Sequence, residues 1–285
     1  MAIAVRDLTK YYGRVAALNG VSFDVRPGEA VALWGPNGAG KTTILRCLLG
    51  LARFRGEVLI QGVNPHHDGR AARRAIGYVP QDLPVSPTSV GELVAFIARL
   101  KGTPVAEAHQ RLDLLGIGEH VDKAIAALSG GMKQRLALAL ALIGSPAVLL
   151  LDEPTANLDA HGRAELLQLL RRLKRESMTL VFSSHRPEDV LALADRVLLI
   201  DRGRLQGSVE PAVFARDLGE TRMIIFLRNG HRAEALETLA TIGVAADGEG
   251  QVVSVRVQAR QKAGVIAALT GAGIDIEDID LERGQ

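Results

Sequence analysis

The residues Gly35-Pro-Asn-Gly-Ala-Gly40-Lys41-Thr42 match the pattern G-x-x-x-x-G-K-[ST], whose chemistry is phosphate binding. The glycines allow backbone N–H groups to turn inward around phosphate oxygens, and the positive end of the following helix adds to the attraction. Lys41 is expected to reach the β- and γ-phosphates of a nucleotide, and the Thr42 hydroxyl to bind Mg²⁺. The predicted phosphate-contacting residues are Gly35, Pro36, Asn37, Gly38, Ala39, Gly40, Lys41, Thr42 and Thr43.

A second chemical element is the segment Ala147-Val-Leu-Leu-Leu-Asp152-Glu153, an apolar run that ends in two carboxylates. We expect the run to be a buried strand, so that Asp152 lies at the carboxyl edge of a sheet, where ligands bind in open α/β folds. Asp152 is then expected to hold the Mg²⁺ shell, and Glu153 to orient or deprotonate an attacking water. Alone, this pattern is equally compatible with an acidic turn, but together with the phosphate loop it favours a functional site.

The segment Leu128-Ser-Gly-Gly-Met-Lys-Gln-Arg135 contains a helix start of unusual composition. Ser129 can cap the helix that begins near Gly131, and the two glycines leave that end uncovered by side chains. Because an uncovered helix N-terminus binds anionic groups, we expect Ser129, Gly130 and Gly131 to form a second phosphate-binding element. A routine helix cap has a similar sequence, but this helix leads directly into the acidic strand.

The elements that must position these groups alternate between strands and helices. Continuous apolar segments are expected to be strands of a parallel sheet covered on both faces, at Ala30–Leu33, Val148–Leu151, Leu180–Phe182 and Val197–Ile200. Residues 90–143 have apolar side chains at helical spacing. The phosphate-binding pattern lies between the strand Ala30–Leu33 and a predicted helix, Lys41–Leu49, as this motif requires.

A domain boundary is expected near residues 217–222. Beyond it, the pattern predicts strands at Met223–Leu227, near Val244, at Gln251–Val257 and at Ile274–Leu281, with helices at His231–Ile242 and Gln261–Thr270. This order, β-α-β-β-α-β, is the ferredoxin-like arrangement. We therefore predict a first domain over residues 1–217, with a helical subdomain at about 82–145, and a small accessory domain over residues 222–285.

Composition argues against several other classes of protein. A chain of 285 residues with 47% hydrophobic residues can bury a large core, and a net charge of +2 does not favour direct nucleic-acid binding. The single cysteine, Cys47, excludes an internal disulfide and fits a reducing compartment. No segment is expected to cross a membrane, because the longest uncharged stretch, residues 136–151, is interrupted by Gly144, Ser145 and Pro146.

With these motifs in this order, residues 1–217 resemble the nucleotide-binding subunits of ABC transporters. The resemblance implies an α/β fold of the P-loop NTPase type, an ABC cassette with a mostly parallel sheet, an antiparallel β-subdomain and a helical subdomain. It also implies that the ligands are ATP and Mg²⁺. The segment Leu128–Gln134 resembles the family's signature sequence, which faces ATP held by the opposite subunit of a head-to-tail dimer.

Four further positions match residues with roles in that family. Gln81 matches the glutamine that contacts Mg²⁺ beside the surface for the membrane partner, and His185 matches the histidine that touches the γ-phosphate. Asp159 belongs to a segment similar to the dimer-contact loop after the catalytic acid. Tyr12 lies where the family places an aromatic ring against adenine, although Tyr11 could take that role. The resemblance thus implies a catalytic set of Glu153, His185, Lys41 and Gln81, and a metal set of Thr42, Gln81 and Asp152.

The resemblance implies an ATP-hydrolysing subunit that drives separate transmembrane permease subunits from the cytoplasmic face of the inner membrane. The dimer is expected to be a homodimer or a pseudo-symmetric pair of cassettes. The C-terminal pattern resembles tails of ATPases of multidrug, lipid and copper-maturation systems, which favours export. It could also mark a ligand-sensing or dimerising module. The alternative function is that of an ABC ATPase acting on nucleic acid or ribosomes, but those relatives usually carry two cassettes or a long coiled coil.

Overall fold

The computed structural model describes residues 1–84, 86–228, 231–258 and 261–283. The chain divides into two compact units, Met1–Pro211 and Ala212–Gln285. The boundary between the units therefore lies slightly before position 217, where we predict that the first domain ends. Each unit is described by itself below.

A three-stranded antiparallel sheet occupies the start of the first unit. Its strands are β1 (Ile3–Tyr12), β2 (Val15–Val25) and β4 (Arg55–Ile60), in the order β2-β1-β4. The side chains of Ile3, Val5, Val25 and Ile60 are buried in a core cluster that also contains Ile44 of the helix after the phosphate loop. The sheet is the antiparallel β-subdomain that the family resemblance predicts.

Apolar segments build the central sheet of the first unit. Five of its strands are β3 (Ala30–Trp34), β5 (Ile76–Val79), β6 (Val148–Leu151), β7 (Thr179–Ser183) and β8 (Arg196–Asp201), and the sixth is β9 (Arg204–Val209). The order is β5-β6-β7-β3-β8-β9, and all neighbouring strands are parallel except β8 and β9. Every residue of β3, β6 and β7 is buried, as expected for strands covered on both faces.

The helices of the first unit include a group of three within the predicted helical subdomain. These are α3 (Val90–Lys101), α4 (Val105–Leu114) and α5 (Gly130–Leu142); the others are α1 (Lys41–Leu48), α2 (Gly69–Arg74), α6 (Ala160–Arg175) and α7 (Pro187–Leu193). Helix α3 begins with a capping box, in which the Ser89 hydroxyl and the Glu92 carboxylate accept hydrogen bonds from each other's backbone N–H groups. Among the helices in the described residues, none is long and apolar enough to span a membrane.

The second unit contains a four-stranded antiparallel sheet with two helices between its strands. Its elements are α8 (Pro211–Gly219), β10 (Glu220–Leu227), α9 (Arg232–Thr241), β11 (Ala246–Glu249), β12 (Val252–Gln258), α10 (Lys262–Gly271) and β13 (Ile276–Arg283). The strand order is β11-β12-β10-β13, which confirms the predicted ferredoxin-like arrangement. Its core is formed by buried residues of the central strands and the helices, including Ile225, Val253, Val255, Leu239 and Leu269.

Candidate active site

The phosphate loop joins β3 to α1 and passes very close to its supporting strands. Gly40 has a φ of 111°, and a Cβ at this position would lie 2.9 Å from the carbonyl oxygen of Ala17 and 2.8 Å from Leu18 Cδ2. A Cβ on Gly35 would lie 2.0 Å from the carbonyl oxygen of Ile200. Glycine is therefore required at both positions, because any side chain would displace the loop from the strands that hold it.

A cavity of about 450 Å³ is bounded by this loop and by residues from distant parts of the first unit. Its lining consists of Ala17, Asn37, Gly38, Gly40, Lys41, Thr42, Thr43, Gln81, Glu153 and His185. We call this space the phosphate-loop cavity. The fold thus brings together the predicted phosphate loop and three of the predicted catalytic side chains outside it.

Lys41, the first residue of α1, is buried at the base of the loop. Its Nζ donates hydrogen bonds to the carbonyl oxygens of Gly35 at 2.6 Å and Pro36 at 3.0 Å. Burial lowers the pKa of the Lys41 ammonium, while the carboxylates of Glu153 and Asp152 act in the opposite direction. The ammonium is therefore held inside the loop, where an incoming phosphate can replace the carbonyl oxygens as its acceptor.

The hydroxyl of Thr42 and the carboxylate of Asp152 form a pair of oxygen ligands beside Lys41. Thr42 Oγ1 donates to Asp152 Oδ1 at 3.1 Å, and Ser183 Oγ donates to the same oxygen at 2.7 Å. Asp152 is buried at the carboxyl end of β6. Carboxylate and hydroxyl oxygens are ligands that suit Mg²⁺, so the donor set fits this ion.

Glu153 and His185 face each other at the edge of the phosphate-loop cavity. His185 Nδ1 lies 3.1 Å from Glu153 Oε2, with the Glu153 side chain largely buried and the His185 side chain half exposed. Glu153 has a φ of 45°, which is uncommon for a residue with a side chain and is typical of functional sites. The backbone N–H of Glu153 donates to Ser183 Oγ at 2.9 Å, which holds this conformation.

The predicted second phosphate-binding element lines a different cavity. Ser129 caps α5, and its Oγ accepts a hydrogen bond from the Met132 N–H at 3.3 Å. Asp159 caps α6 through a hydrogen bond from the Gly162 N–H to Oδ1 at 2.8 Å. Ser129, Gly130, Gly131 and Asp159 all line this second cavity of about 560 Å³, which we call the signature cavity. Among the described residues, it shares no lining residue with the phosphate-loop cavity.

A hydrogen bond connects the segment of Asp159 to the loop of Gln81. Asn157 Nδ2 donates to Asp82 Oδ1 at 2.7 Å, which ties the segment before Asp159 to the residue directly after Gln81. The structure thus links the predicted dimer-contact loop to the loop that carries the predicted Mg²⁺-contacting glutamine.

Tyr12 is the last residue of β1 and is about half exposed. The Lys10 ammonium lies 4.6 Å from the centre of its ring, a cation–π contact. Tyr11 is exposed to a similar degree. Their similar exposure does not distinguish the two rings, so the stacking of Tyr12 on adenine stays a prediction, with Tyr11 as the alternative.

Sequence reasoning missed two residues of the site. Ala17 lines the phosphate-loop cavity from β2, and an alanine in a strand carries no chemical signal. Ser183 holds both Asp152 and Glu153, as described above. Ser183 carries a hydroxyl at the carboxyl end of a predicted buried strand, and ligands bind at that edge of open α/β sheets. This position could have identified it as a candidate site residue.

Comparisons with known proteins agree with this geometry. Residues 18–156 match the model of the ABC transporter family. Nod factor export ATP-binding protein I of Rhizobium etli is 35% identical, covering 93% of this chain and 88% of the relative. Daunorubicin resistance ATP-binding protein DrrA3 of Streptomyces coeruleorubidus is 34% identical, covering 99% of this chain and 92% of the relative. The methionine import ATP-binding protein MetN of Rhizobium johnstonii is 35% identical, covering 95% of this chain and 78% of the relative.

A solved structure of a dimeric bacterial ABC transporter cassette matches with a TM-score of 0.67 and 27% identity, covering 73% of this chain and 98% of that chain. The fold and the phosphate-loop cavity define a nucleotide-hydrolysing cassette. The chain belongs to the ABC transporter family, as an ATP-binding subunit and ATPase.

Proposed function

We propose that this chain hydrolyses ATP in composite sites formed by two subunits. Each site is built from the phosphate loop of one subunit and the segment Leu128–Gln134 of the other, which we call the signature segment. The observation that carries this proposal is that, within the part of the chain that the structure describes, the phosphate-loop cavity and the signature cavity share no lining residue. Two subunits placed head to tail would bring Ser129, Gly130 and Gly131 of one chain onto the ATP of the other. The similarity to a solved dimeric cassette supports this arrangement.

Within each site, the residues around the phosphate-loop cavity have distinct roles. Lys41 exchanges its bonds to the loop carbonyls for bonds to the β- and γ-phosphates, and the backbone N–H groups of residues 35–43 surround the phosphate oxygens. Glu153 orients or deprotonates the attacking water, and His185 contacts the γ-phosphate. The 3.1 Å separation of these two side chains supports a shared role at one reacting group.

Thr42, Asp152 and Gln81 would hold Mg²⁺, which when bound neutralises charge on the β- and γ-phosphate oxygens. Two of the three already lie within hydrogen-bonding distance of each other, through the Thr42 hydroxyl and the Asp152 carboxylate. Gln81 lines the same cavity from the loop after β5. The proposed cofactors are therefore ATP and Mg²⁺.

Dimer closure would be transmitted to separate transmembrane permease subunits at the cytoplasmic face of the cell membrane. In this chain the Asn157–Asp82 hydrogen bond joins the dimer-contact loop to the loop of Gln81, where the permease is proposed to dock. Loss of the γ-phosphate after hydrolysis would then release both the partner subunit and the docked loop.

Export is the proposed direction of transport. Two of the relatives, Nod factor export ATP-binding protein I and daunorubicin resistance protein DrrA3, have names that concern export or drug resistance, which supports this direction. The alignments with these two relatives cover 93% and 99% of this chain, so the similarity extends into the second unit, which we propose to be an accessory or regulatory domain. Deletion of residues 222–285 should lower dimerisation or change the ATPase rate if this domain regulates the cassette; unchanged values for both would oppose that role.

The residue roles can be tested by measuring ATP binding and ATP hydrolysis separately in the full-length chain. Lys41→Ala should weaken ATP binding more than about tenfold, because it removes a buried charge that faces the phosphates. Glu153→Gln should keep ATP affinity within about threefold and lower kcat by about 10²–10⁴, the range for loss of general-base catalysis. An unimpaired turnover rate in either variant would contradict the assignment.

Lys101→Ala is a matched control for Lys41→Ala. Lys101 is a partly buried lysine whose Nζ also donates to a backbone carbonyl, that of Ile143 at 2.7 Å, and its pKa is also lowered by burial. It lies on α3, outside the phosphate-loop cavity. This variant is expected to lose stability but to retain ATP affinity.

A further inference from the structure

The carboxylate of Asp189 is buried beside the active site and has no role in the proposed chemistry. Asp189 lies in the first turn of α7 and is 2% exposed. Its Oδ2 accepts a hydrogen bond from the hydroxyl of Thr155, which is itself buried. Ser184 Oγ lies 3.5 Å from the same carboxylate oxygen.

The two hydroxyl groups around Asp189 belong to the two segments that carry Glu153 and His185. Thr155 follows Glu153 by two residues, and Ser184 directly precedes His185. One buried carboxylate therefore joins the loop of the proposed base to the loop of the proposed γ-phosphate contact. The Thr155 hydroxyl donates directly to this carboxylate, whereas the Ser184 hydroxyl lies at the limit of hydrogen-bonding distance from it and also bonds to the backbone of Arg186. The carboxylate therefore restrains the Thr155 segment directly and packs against the segment of Ser184.

The position of Thr155 matters because Glu153 has a left-handed backbone conformation. Ser183 holds Glu153 from one side, through the hydrogen bond from the Glu153 N–H at 2.9 Å. The Thr155–Asp189 hydrogen bond holds the chain from the other side. A strained residue keeps its conformation only when its surroundings restrain it. One of these bonds restrains the N–H of Glu153 itself, and the other restrains the chain two residues after it.

A third segment reaches the same carboxylate. Arg163 Nε lies 3.9 Å from Asp189 Oδ1, and this oxygen has no hydrogen-bond partner among the described residues. Arg163 is in the first turn of α6, the helix capped by Asp159, which lines the signature cavity. The carboxylate thus connects elements that belong to both cavities.

We propose that Asp189 is a positioning residue for ATP hydrolysis, which holds Glu153 against His185 through Thr155 and ties both to the start of α6. The proposal rests on the roles of Glu153 and His185 given under the proposed function. Because Asp189 is buried and is not among the described residues that line the phosphate-loop cavity, its loss should change the rate of the chemical step far more than ATP binding.

The most selective variant is Thr155→Val, which has nearly the same shape but lacks the hydroxyl. In the full-length chain, it should lower kcat by more than about tenfold while the KM for ATP changes by less than about threefold, as expected when an interaction with the transition state is lost. Thr155→Ser should recover most of the lost kcat, because it restores the donor to Asp189. Combining Thr155→Val with Asp189→Ala should lower kcat no further than the more impaired single variant.

Asp195→Asn serves as the control for a carboxylate that has a structural role away from the site. Asp195 accepts a hydrogen bond from the Ala30 N–H at 3.0 Å and pairs with Lys174 at 2.6 Å, but it lies where β3 begins, at the opposite end from the phosphate loop. The melting temperature of the Asp195→Asn variant should fall, while its kcat, measured at a temperature where it is folded, should equal that of the wild type. If Thr155→Val reduces kcat no more than this control, or if Thr155→Ser is equally impaired, the proposal is overturned.

These outcomes are separable from failure of the proposed function. If Glu153→Gln retained normal turnover, the role of Glu153 would be wrong whatever the Thr155 variants did. If Glu153→Gln arrested hydrolysis while Thr155→Val behaved as the wild type, only the positioning role of Asp189 would be rejected.

Discussion

Replacing Ser183 with alanine removes a hydroxyl that holds both carboxylate residues of the site. Ser183 is fully buried, donates to Asp152 Oδ1 at 2.7 Å and accepts from the Glu153 N–H at 2.9 Å. Losing the bond to a charged acceptor costs about 1.5–3 kcal/mol, and leaving a buried N–H without a partner costs about 1–3 kcal/mol. Together these costs amount to about 2.5–6 kcal/mol, and because contributions that share one side chain are not additive, we expect Ser183→Ala to reduce the free energy of unfolding by roughly 3 kcal/mol, near the lower end.

For a unit of this size, each kcal/mol lowers the melting temperature by about 2–4 °C, so a decrease of roughly 6–12 °C is expected for Ser183→Ala. The functional effect should exceed the structural one, because Asp152 is proposed to bind Mg²⁺ and Glu153 to activate water. At a temperature where the variant is folded, the Mg²⁺ concentration for half-maximal ATPase activity should rise about tenfold, which corresponds to about 1.4 kcal/mol.

Thr179→Val is the control that separates these effects. Thr179 lies at the other end of the same strand, is equally buried, and its Oγ1 accepts a hydrogen bond from the Gly28 N–H at 3.0 Å. Its loss should lower the melting temperature without changing the Mg²⁺ dependence. If Ser183→Ala moved the Mg²⁺ half-saturation no more than Thr179→Val, the inference that Ser183 organises the site would be refuted.

Two further predictions concern single side chains. Tyr12→Ala should weaken ATP binding by about 1–2 kcal/mol, the lower part of the range for loss of base stacking, whereas Tyr11→Ala should leave ATP binding unchanged. Titration of both variants with ATP would distinguish them. The reverse result would assign the adenine-stacking ring to Tyr11. Burial raises the pKa of the Cys47 thiol from 9.0 to about 11, so its thiolate fraction at neutral pH falls by roughly a hundredfold. Cys47 should therefore resist iodoacetamide in the native protein and react after unfolding, and equal labelling rates in the two states would contradict its burial.

The parts of the fold that sequence predicts best are those with a local signal. The phosphate loop lies between β3 and α1 as predicted, because its glycines, Lys41 and Thr42 are specific to that geometry. Strand β6 also lies where the apolar run before Asp152 predicts it. In the second unit, the strand predicted near Val244 is β11, Ala246–Glu249. Its exposed polar residues carry little strand propensity, so pairing with β12 rather than local sequence determines its position.

The contacts that sequence could not predict depend on which strands are neighbours. Ser183 reaches Asp152 because β6 and β7 are parallel with Leu151 opposite Phe182, and nothing local to either strand specifies this register. The antiparallel strand β9 at the edge of the central sheet was not predicted either, because it has no fully buried residue and its Gly207-Ser208 pair is typical of a turn. The separation of the two cavities likewise follows only from the folded arrangement of distant segments.

Whether each site is formed by two subunits is tested most directly with two inactivating substitutions, placed either on different chains of a dimer or on the same chain. Lys41→Ala disables the phosphate loop, and Ser129→Arg blocks the signature segment. With the two substitutions on different chains of a heterodimer purified by two tags, one composite site stays intact, and about half of the wild-type ATPase rate is expected if the two sites act independently. With both substitutions on one chain and a wild-type partner, both composite sites are defective and the rate should fall to background. The opposite pattern, an active dimer in the second case and an inactive one in the first, would mean that each chain completes its own site.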